Sequence, residues 1–139
     1  MVRYMRNFVL MFIMLCTSLT CNAQWLSNGS NATLGKIDSD GWVYNQSNMT
    51  LGRICSDGYI VGRSNNTLGK ILRDGTIVNS SNATLGKVES SGYVVDSSNR
   101  TLGKVLSDGT VVDSHNSTIG YARGVPKTYA AVFFFFDFF

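Results

Sequence analysis

The sequence predicts an all-β protein in which short β-hairpins form a closed radial ring. The first observation is a phrase of the type Ser-Asn-x-Thr-Leu-Gly-Lys-Ile, present in five full copies and a sixth, diverged copy. The second is its spacing, because the glycines of the six copies are 17 residues apart throughout: Gly35, Gly52, Gly69, Gly86, Gly103 and Gly120. The third is an Asp-Gly or Ser-Gly pair after each full copy. Short apolar runs between turn signals at a fixed period indicate one supersecondary unit repeated along the chain.

The first element is a predicted secretory signal peptide over residues 1–23. Arg3 and Arg6 precede a short apolar run at residues 8–15, and the small residue Ala23 offers a cleavage point. The run is too short to favour a membrane span. The alternative is lipoprotein processing at Cys21. Either route predicts a secreted or periplasmic protein of the bacterial envelope.

The mature chain has little net charge. Loss of Arg3 and Arg6 with the signal leaves ten basic and nine acidic residues. We therefore expect no nucleic-acid partner, because such proteins carry a strong basic field. Cys55 is then the one remaining cysteine, and it cannot form an internal disulfide.

Residues 24–124 form the predicted repeat domain of β-hairpins. If the first loop is Ser39-Asp40-Gly41, Ile37 faces Val43, and the same register pairs β-branched residues in all five full copies. This register favours a type I turn closed by a glycine bulge. Leu34 and Ile37 are three residues apart, so a bulge at Gly35 is expected to turn both inward.

The Ser-Asn-x-Thr segment is the second predicted turn, since Ser and Asn side chains bond to nearby backbone groups. Its asparagines and threonines also form glycosylation sequons. The turn alone accounts for these residues, so the sequons indicate no modification.

The two ends of the repeat region distinguish a ring from a β-solenoid, which is the alternative fold. Trp25 lies 17 residues before Trp42, so residues 25–28 form a second strand without a first. Residues 118–121 form a first strand without a second. A ring can join these halves and leave no open edge. Five complete copies suggest five-fold closure, whereas joining the halves makes a sixth pair, and the sequence leaves both open. Pro126 replaces the turn glycine, so the last copy has diverged.

The repeat phrase, the segment Gly120–Lys127 and the run Ala130–Phe133 resemble the bacterial five-fold β-flower proteins, a family of small secreted repeat proteins. The resemblance covers essentially the whole mature chain. It implies a radial all-β fold located in the bacterial envelope or outside the cell. The family carries no assigned activity, so the resemblance implies no functional residues.

The chemistry of the chain does not favour an enzyme. His115 is the single histidine, and no cluster of His, Cys or carboxylates has the spacing of metal ligands. The serines belong to the turn pattern and have no base beside them. We expect no catalytic residues, cofactor or metal. Four Asp residues of the Asp-Gly pairs would form a circle at one rim, where turn formation explains them better than calcium.

A second circle is cationic and is the speculative ligand-binding rim of this chain: Lys36, Arg53, Lys70, Lys87 and Lys104. The primary hypothesis is a non-enzymatic protein with a structural or binding role and an unknown ligand. The alternative is a lectin-like, carbohydrate-binding module in which repeated rim residues hold a glycan or another envelope component. Trp42, Tyr44, Tyr59 and Tyr93 lie beside the turns and could stack on sugars.

Residues 125–139 form a C-terminal segment rich in phenylalanine. Aromatic residues would lie on both faces of any strand or helix there, so exposure would create a sticky surface. We expect this segment to pack on the repeat domain, with Asp137 reaching solvent. The alternative is a membrane or oligomer contact through four consecutive aromatic residues: Phe133, Phe134, Phe135 and Phe136.

Overall fold

The computed structural model describes residues 24–139, and the predicted signal peptide lies outside the described residues. This part contains twelve short strands followed by one helix. The strands are β1 (Gln24–Asn28), β2 (Thr33–Ile37), β3 (Trp42–Asn45), β4 (Thr50–Ile54), β5 (Tyr59–Gly62), β6 (Thr67–Ile71), β7 (Thr76–Asn79), β8 (Thr84–Val88), β9 (Tyr93–Asp96), β10 (Thr101–Val105), β11 (Thr110–Asp113) and β12 (Thr118–Tyr121). The helix is α1 (Lys127–Phe135).

The twelve strands form one closed antiparallel sheet. Each strand pairs with the strands before and after it in the chain, and β1 pairs with β12. At this closure Ser27 lies opposite Tyr121 and Asn28 lies opposite Gly120. The predicted all-β ring is confirmed, and the solenoid alternative is not needed. Six of the twelve strand pairs share one register. Five of these are hairpins, and the sixth is the pair of β1 with β12 that closes the ring.

The turns near the Asp-Gly pairs have the predicted register. Ile37 lies opposite Val43, and the Gly41 N–H donates to the Asp38 carbonyl at 3.0 Å. Gly41 has a φ of +90°, a conformation that glycine adopts without a side-chain clash. This is the expected turn closed by a glycine bulge, with residues 39–41 as its loop.

The Ser-Asn-x-Thr turns have the same geometry, with asparagine in place of glycine. Asn48 has a φ of +68°, and its N–H donates to the Asn45 carbonyl at 2.9 Å. The side chain of Asn45 accepts hydrogen bonds from the N–H groups of Ser47 and Met49. The repeated asparagine thus supplies the left-handed backbone. The residue three positions earlier supplies the side-chain bonds where it is Asn or Asp, which is every repeat except the one with Gly62.

A bulge precedes each repeated glycine. Gly35 lies opposite Leu26 and Thr33 lies opposite Ser27, so Leu34 has no direct partner on β1. The bulge turns the Leu34 side chain toward the core while Gly35 and Ile37 are buried. The predicted bulge is therefore confirmed.

The core fills the inside of the ring. One residue from each second strand is fully buried at 0% exposure: Leu26, Val43, Ile60, Ile77, Val94 and Val111. The opposing first-strand positions hold Ile37, Ile54, Ile71, Val88 and Val105, and Ala122 takes the equivalent place directly after β12. All of these first-strand residues are buried except Ile71, which is partly exposed.

Helix α1 occupies the space that the ring encloses. Ala130, Ala131 and Val132 are all 0% exposed. Because consecutive helical residues point about 100° apart, these three side chains span about 200° of the helix circumference, so protein surrounds most of the helix at this level. The helix lies closest to β8 and β10. None of the helices among residues 24–139 is long and apolar enough to cross a membrane.

The phenylalanines that end the chain lie against the repeated glycines, one for each of five repeats. Each aromatic ring reaches to within 3.0 Å of the place that a Cβ of its glycine would occupy. The pairs follow the ring in order: Phe134 with Gly120, Phe135 with Gly103, Phe136 with Gly86, Phe138 with Gly69 and Phe139 with Gly52. Asp137 interrupts the series and is exposed.

Candidate functional site

The predicted circle of cations lies on the outer wall of the ring, beside the rim of Asp-Gly turns. Lys36 is the fourth of the five residues of β2, between the buried residues Gly35 and Ile37. Because side chains alternate along a strand, Lys36 faces outward. The same placement holds at the equivalent positions Arg53, Lys70, Lys87 and Lys104. These five residues form a belt on the outer wall, one residue from the end of each strand.

Four cations of this belt lie over aromatic rings of the preceding strand. Cross-strand pairing places each cation beside its partner on the same face. The distances from the cationic group to the ring centre are 5.3 Å for Lys36 over Trp25, 5.1 Å for Arg53 over Trp42, 4.4 Å for Lys70 over Tyr59 and 4.4 Å for Lys104 over Tyr93. Lys87 lies opposite Thr76 and has no aromatic neighbour at this place.

Three of the four aromatic partners are exposed, and Trp42 is half-buried. Trp25 is 58% exposed, Tyr59 41% and Tyr93 43%. Tyr44, by contrast, is half-buried, and its hydroxyl donates to Asp38 Oδ2 at 3.3 Å. Burial, with the nearby Asp38 carboxylate, raises the pKa of Tyr44. The wall therefore presents aromatic faces and cations together at one height.

The belt also covers apolar residues of the outer wall. Val78, Val95 and Val112 are buried although they lie outside the core cluster. Lys70, Lys87 and Lys104 are their respective cross-strand neighbours. The aliphatic stems of these lysines can lie over the valines while the ammonium groups stay in water.

The carboxylates of the Asp-Gly turns bond to their own turns. Asp74 Oδ1 accepts a hydrogen bond from the Thr76 N–H at 3.0 Å, and this bond lowers the pKa of Asp74. Asp108 does the same with Thr110. No group of three or more His, Cys, Asp or Glu side chains within residues 24–139 could hold a metal ion. His115 is an exposed turn residue whose Nδ1 lies 3.5 Å from Ser114 Oγ.

A cleft that sequence reasoning missed opens beside the start of α1. It has a volume of about 580 Å³ and lies between the turn at residues 55–58, the end of β6 and the first turn of the helix. Lys70 and Arg73 contribute cationic groups to its lining, and Ile71, Leu72 and Tyr129 contribute apolar surface.

Comparison with known families agrees with this architecture. A family model described as 5-fold beta-flower protein matches residues 23–138. The chain belongs to this beta-flower family. No curated protein and no solved structure gives a significant match.

The cleft of this beta-flower protein marks a departure from the repeat. Arg73 occupies a turn position that is serine in the other four full copies: Ser39, Ser56, Ser90 and Ser107. Ile71 is the one residue of its buried layer that remains partly exposed. The arginine substitution was the sequence signal for this region. The cavity itself depends on where the helix lies, which the repeat does not encode.

Proposed function

We propose that this beta-flower protein is an exported, non-enzymatic binding protein whose outer wall holds a repetitive partner of the cell envelope, such as a glycan. The observation that carries the proposal is the series of aromatic–cation pairs at one height of the wall. Four such pairs recur at the 17-residue spacing of the repeat, with three of their aromatic rings at least 41% exposed.

These pairs suit an acidic or polyhydroxylated polymer. An exposed aromatic face stacks on the apolar face of a sugar ring, and the neighbouring cation bonds to carboxylate or hydroxyl oxygens. Each single pair would bind weakly. A partner with repeated units could engage several pairs at once, which raises the effective concentration of each later contact.

A purely structural role is the second candidate, and one observation favours it. The belt lysines lie beside buried valines of the outer wall and over tyrosines of the same chain. These contacts stabilise the ring without any ligand. In this candidate role the belt shields the valines of the outer wall from water, and the ring serves as a stable structural element without a bound ligand.

Glycan-array and pull-down measurements with the mature protein separate the two candidates. Lys70→Ala and Lys87→Ala are a matched pair, because both lysines occupy the same strand position but only Lys70 lies over an aromatic ring. Saturable glycan binding that weakens with Lys70→Ala and Tyr59→Ala, and much less with Lys87→Ala, supports the binding proposal. Absence of binding to any envelope glycan, or equal loss in both lysine variants, contradicts the paired-site proposal.

The export part of the proposal has its own test. The signal features of residues 1–23 support removal of this segment on secretion. N-terminal sequencing of protein recovered from the periplasm or medium should begin at Gln24. A lipid-modified N-terminus at Cys21 would favour the lipoprotein alternative. Protein found only in the cytoplasm, with an intact Met1, would contradict export.

A further inference from the structure

We propose that the cleft beside α1 binds a small organic anion, meaning a carboxylate or phosphate group attached to an apolar ring or chain. This site shares Lys70 with the belt of the outer wall, but none of the exposed aromatic rings of the wall lines it. Its volume of about 580 Å³ falls in the range of small-molecule sites in proteins.

The cleft exists because the helix fills the ring unevenly. Helix α1 lies against β8 and β10, and the cleft opens beside β6 and the turn that follows β4. Ile71 forms part of the cleft wall, which explains why it alone in its layer is partly exposed. Leu72 is also exposed, at 37%. The cleft thus offers apolar contact area that the rest of the ring buries.

The charges around the cleft favour an anion. Lys70 and Arg73 line it, and the one ion pair formed within residues 24–139 joins Arg100 to Asp96 elsewhere. Asp57 is the single carboxylate of the lining, and its Oδ1 already accepts a hydrogen bond from the Tyr59 N–H at 3.2 Å. The guanidinium of Arg73 therefore has no carboxylate partner and can bind a planar anionic group through two parallel hydrogen bonds.

Arg73 is also the residue that departs from the repeat. Serine occupies the equivalent place in four other turns of the same geometry, so the turn does not need arginine. Arg73 borders a second, smaller cavity of about 240 Å³ next to Glu89 and Lys127. An arginine between two cavities, at a position where the fold accepts serine, is better explained by a ligand than by folding.

A matched pair of variants tests the inference. Arg73→Ser restores the repeat residue at the cleft. Arg63→Ser removes an exposed arginine from a Ser-Asn-x-Thr turn. Two other copies have serine at the position of Arg63, before the same Ser-Asn pair. Both changes remove one positive charge, and both introduce a residue that the repeat tolerates. Matching amide spectra would show that the fold of each variant is intact.

The experiment is an amide NMR titration of the mature protein with three probes: benzoate, acetate and benzyl alcohol. We expect benzoate to shift the amides of Gly58, Leu72 and Thr128 with a Kd on the order of 1 mM. Arg73→Ser should weaken this binding about tenfold, and Arg63→Ser should leave it unchanged. Acetate and benzyl alcohol should bind more weakly than benzoate, because each lacks one half of the recognised chemistry.

Three results would overturn the inference. These are equal binding by wild type and Arg73→Ser, shifts confined to amides outside the cleft, and no benzoate binding at concentrations of about 20 mM. None of these results depends on the outer-wall aromatic rings, so the glycan proposal would stand or fall separately.

Discussion

The aromatic ring of Phe135 lies directly against the backbone of Gly103, with Cζ 2.6 Å from the place that a Cβ of residue 103 would occupy. Four other phenylalanines have the same relationship to the glycine of another repeat. The strict repetition of this glycine thus has a second cause besides the bulge. A side chain there would displace the aromatic ring that closes the core.

Gly103→Ala should destabilise the protein more than Gly35→Ala. In both cases the new methyl group meets a carbonyl oxygen of the opposite strand, but only at Gly103 are Phe135 atoms among the nearest neighbours. Overpacking of this kind typically costs about 1–3 kcal/mol. Urea unfolding of both variants measures the difference.

A double-mutant cycle sharpens this comparison. Phe135→Leu should recover part of the cost of Gly103→Ala and none of the cost of Gly35→Ala, since coupling requires contact. Equal destabilisation by the two alanine substitutions, with no coupling to Phe135, would show that the aromatic contact does not select glycine.

Ending the chain after Thr128 should abolish the stable monomer. The deletion removes Ala130, Ala131 and Val132 from the core together with the five phenylalanines that lie on the glycines. Phe136 is buried and the other four are partly buried. Loss of one buried phenylalanine alone costs about 3–5 kcal/mol, so loss of the whole segment exceeds the usual stability of a small domain. Thermal unfolding and size-exclusion chromatography measure the outcome.

Asp137→Ala is the control for this truncation, because Asp137 is exposed within the same segment. It should change stability by no more than about 0.5 kcal/mol. A shortened protein that kept its melting temperature and remained monomeric would show that the ring does not need the segment.

Much of the ring could be predicted from the sequence, because its information is local and repeated six times. The pairing of Ile37 with Val43 followed from loop length and from the positions of β-branched residues. The closure of β1 on β12 followed from the two complementary half-repeats at the ends. Local turn chemistry at a fixed period determines both features.

Features that depend on tertiary placement could not be predicted. The run of phenylalanines has no helical or strand period, so nothing in it indicated that successive aromatic rings would lie on successive glycines. The cleft was missed because it depends on the uneven position of α1 inside the ring.

Asn82→Gly should be tolerated, whereas Asn82→Ala should destabilise the protein by about 1 kcal/mol. Asn82 has a φ of +69°, which glycine adopts freely and alanine adopts only with strain. Both changes remove the Asn-Ala-Thr sequon, so loss of the sequon cannot explain a difference in stability between the two variants. Thermal unfolding of the two variants measures the difference. Equal melting temperatures would contradict the backbone explanation for the repeated asparagine.

The protein should lose stability in acid through the carboxylates of its second type of turn. Hydrogen bonds from the backbone N–H groups of Arg100 and Ser117 hold the pKa values of Asp96 and Asp113, respectively, below the ordinary 3.8. A lowered pKa in the folded state means that the unfolded chain binds more protons as the pH falls. The stabilisation is therefore complete above the ordinary pKa and is lost as the pH drops through the folded value.

Asn45 and Asn79 make the same turn bonds without a titrating group. The double variant Asp96→Asn, Asp113→Asn should therefore keep its turns and lose less stability than wild type between about pH 7 and about pH 3. Urea midpoints at the two pH values provide the measurement. An identical acid sensitivity in wild type and variant would show that these carboxylates do not contribute.

The most direct test of the closed ring is a disulfide between its two ends. Ser27 and Tyr121 are direct partners across β1 and β12, at a separation that suits a disulfide in an antiparallel pair. In a Cys55→Ser background, Ser27→Cys with Tyr121→Cys should form an intramolecular link on oxidation, seen by peptide mass spectrometry. The control pair Ser27→Cys with Lys70→Cys should form none. A monomer that fails to link residues 27 and 121, or links them only between molecules, would contradict the closed ring.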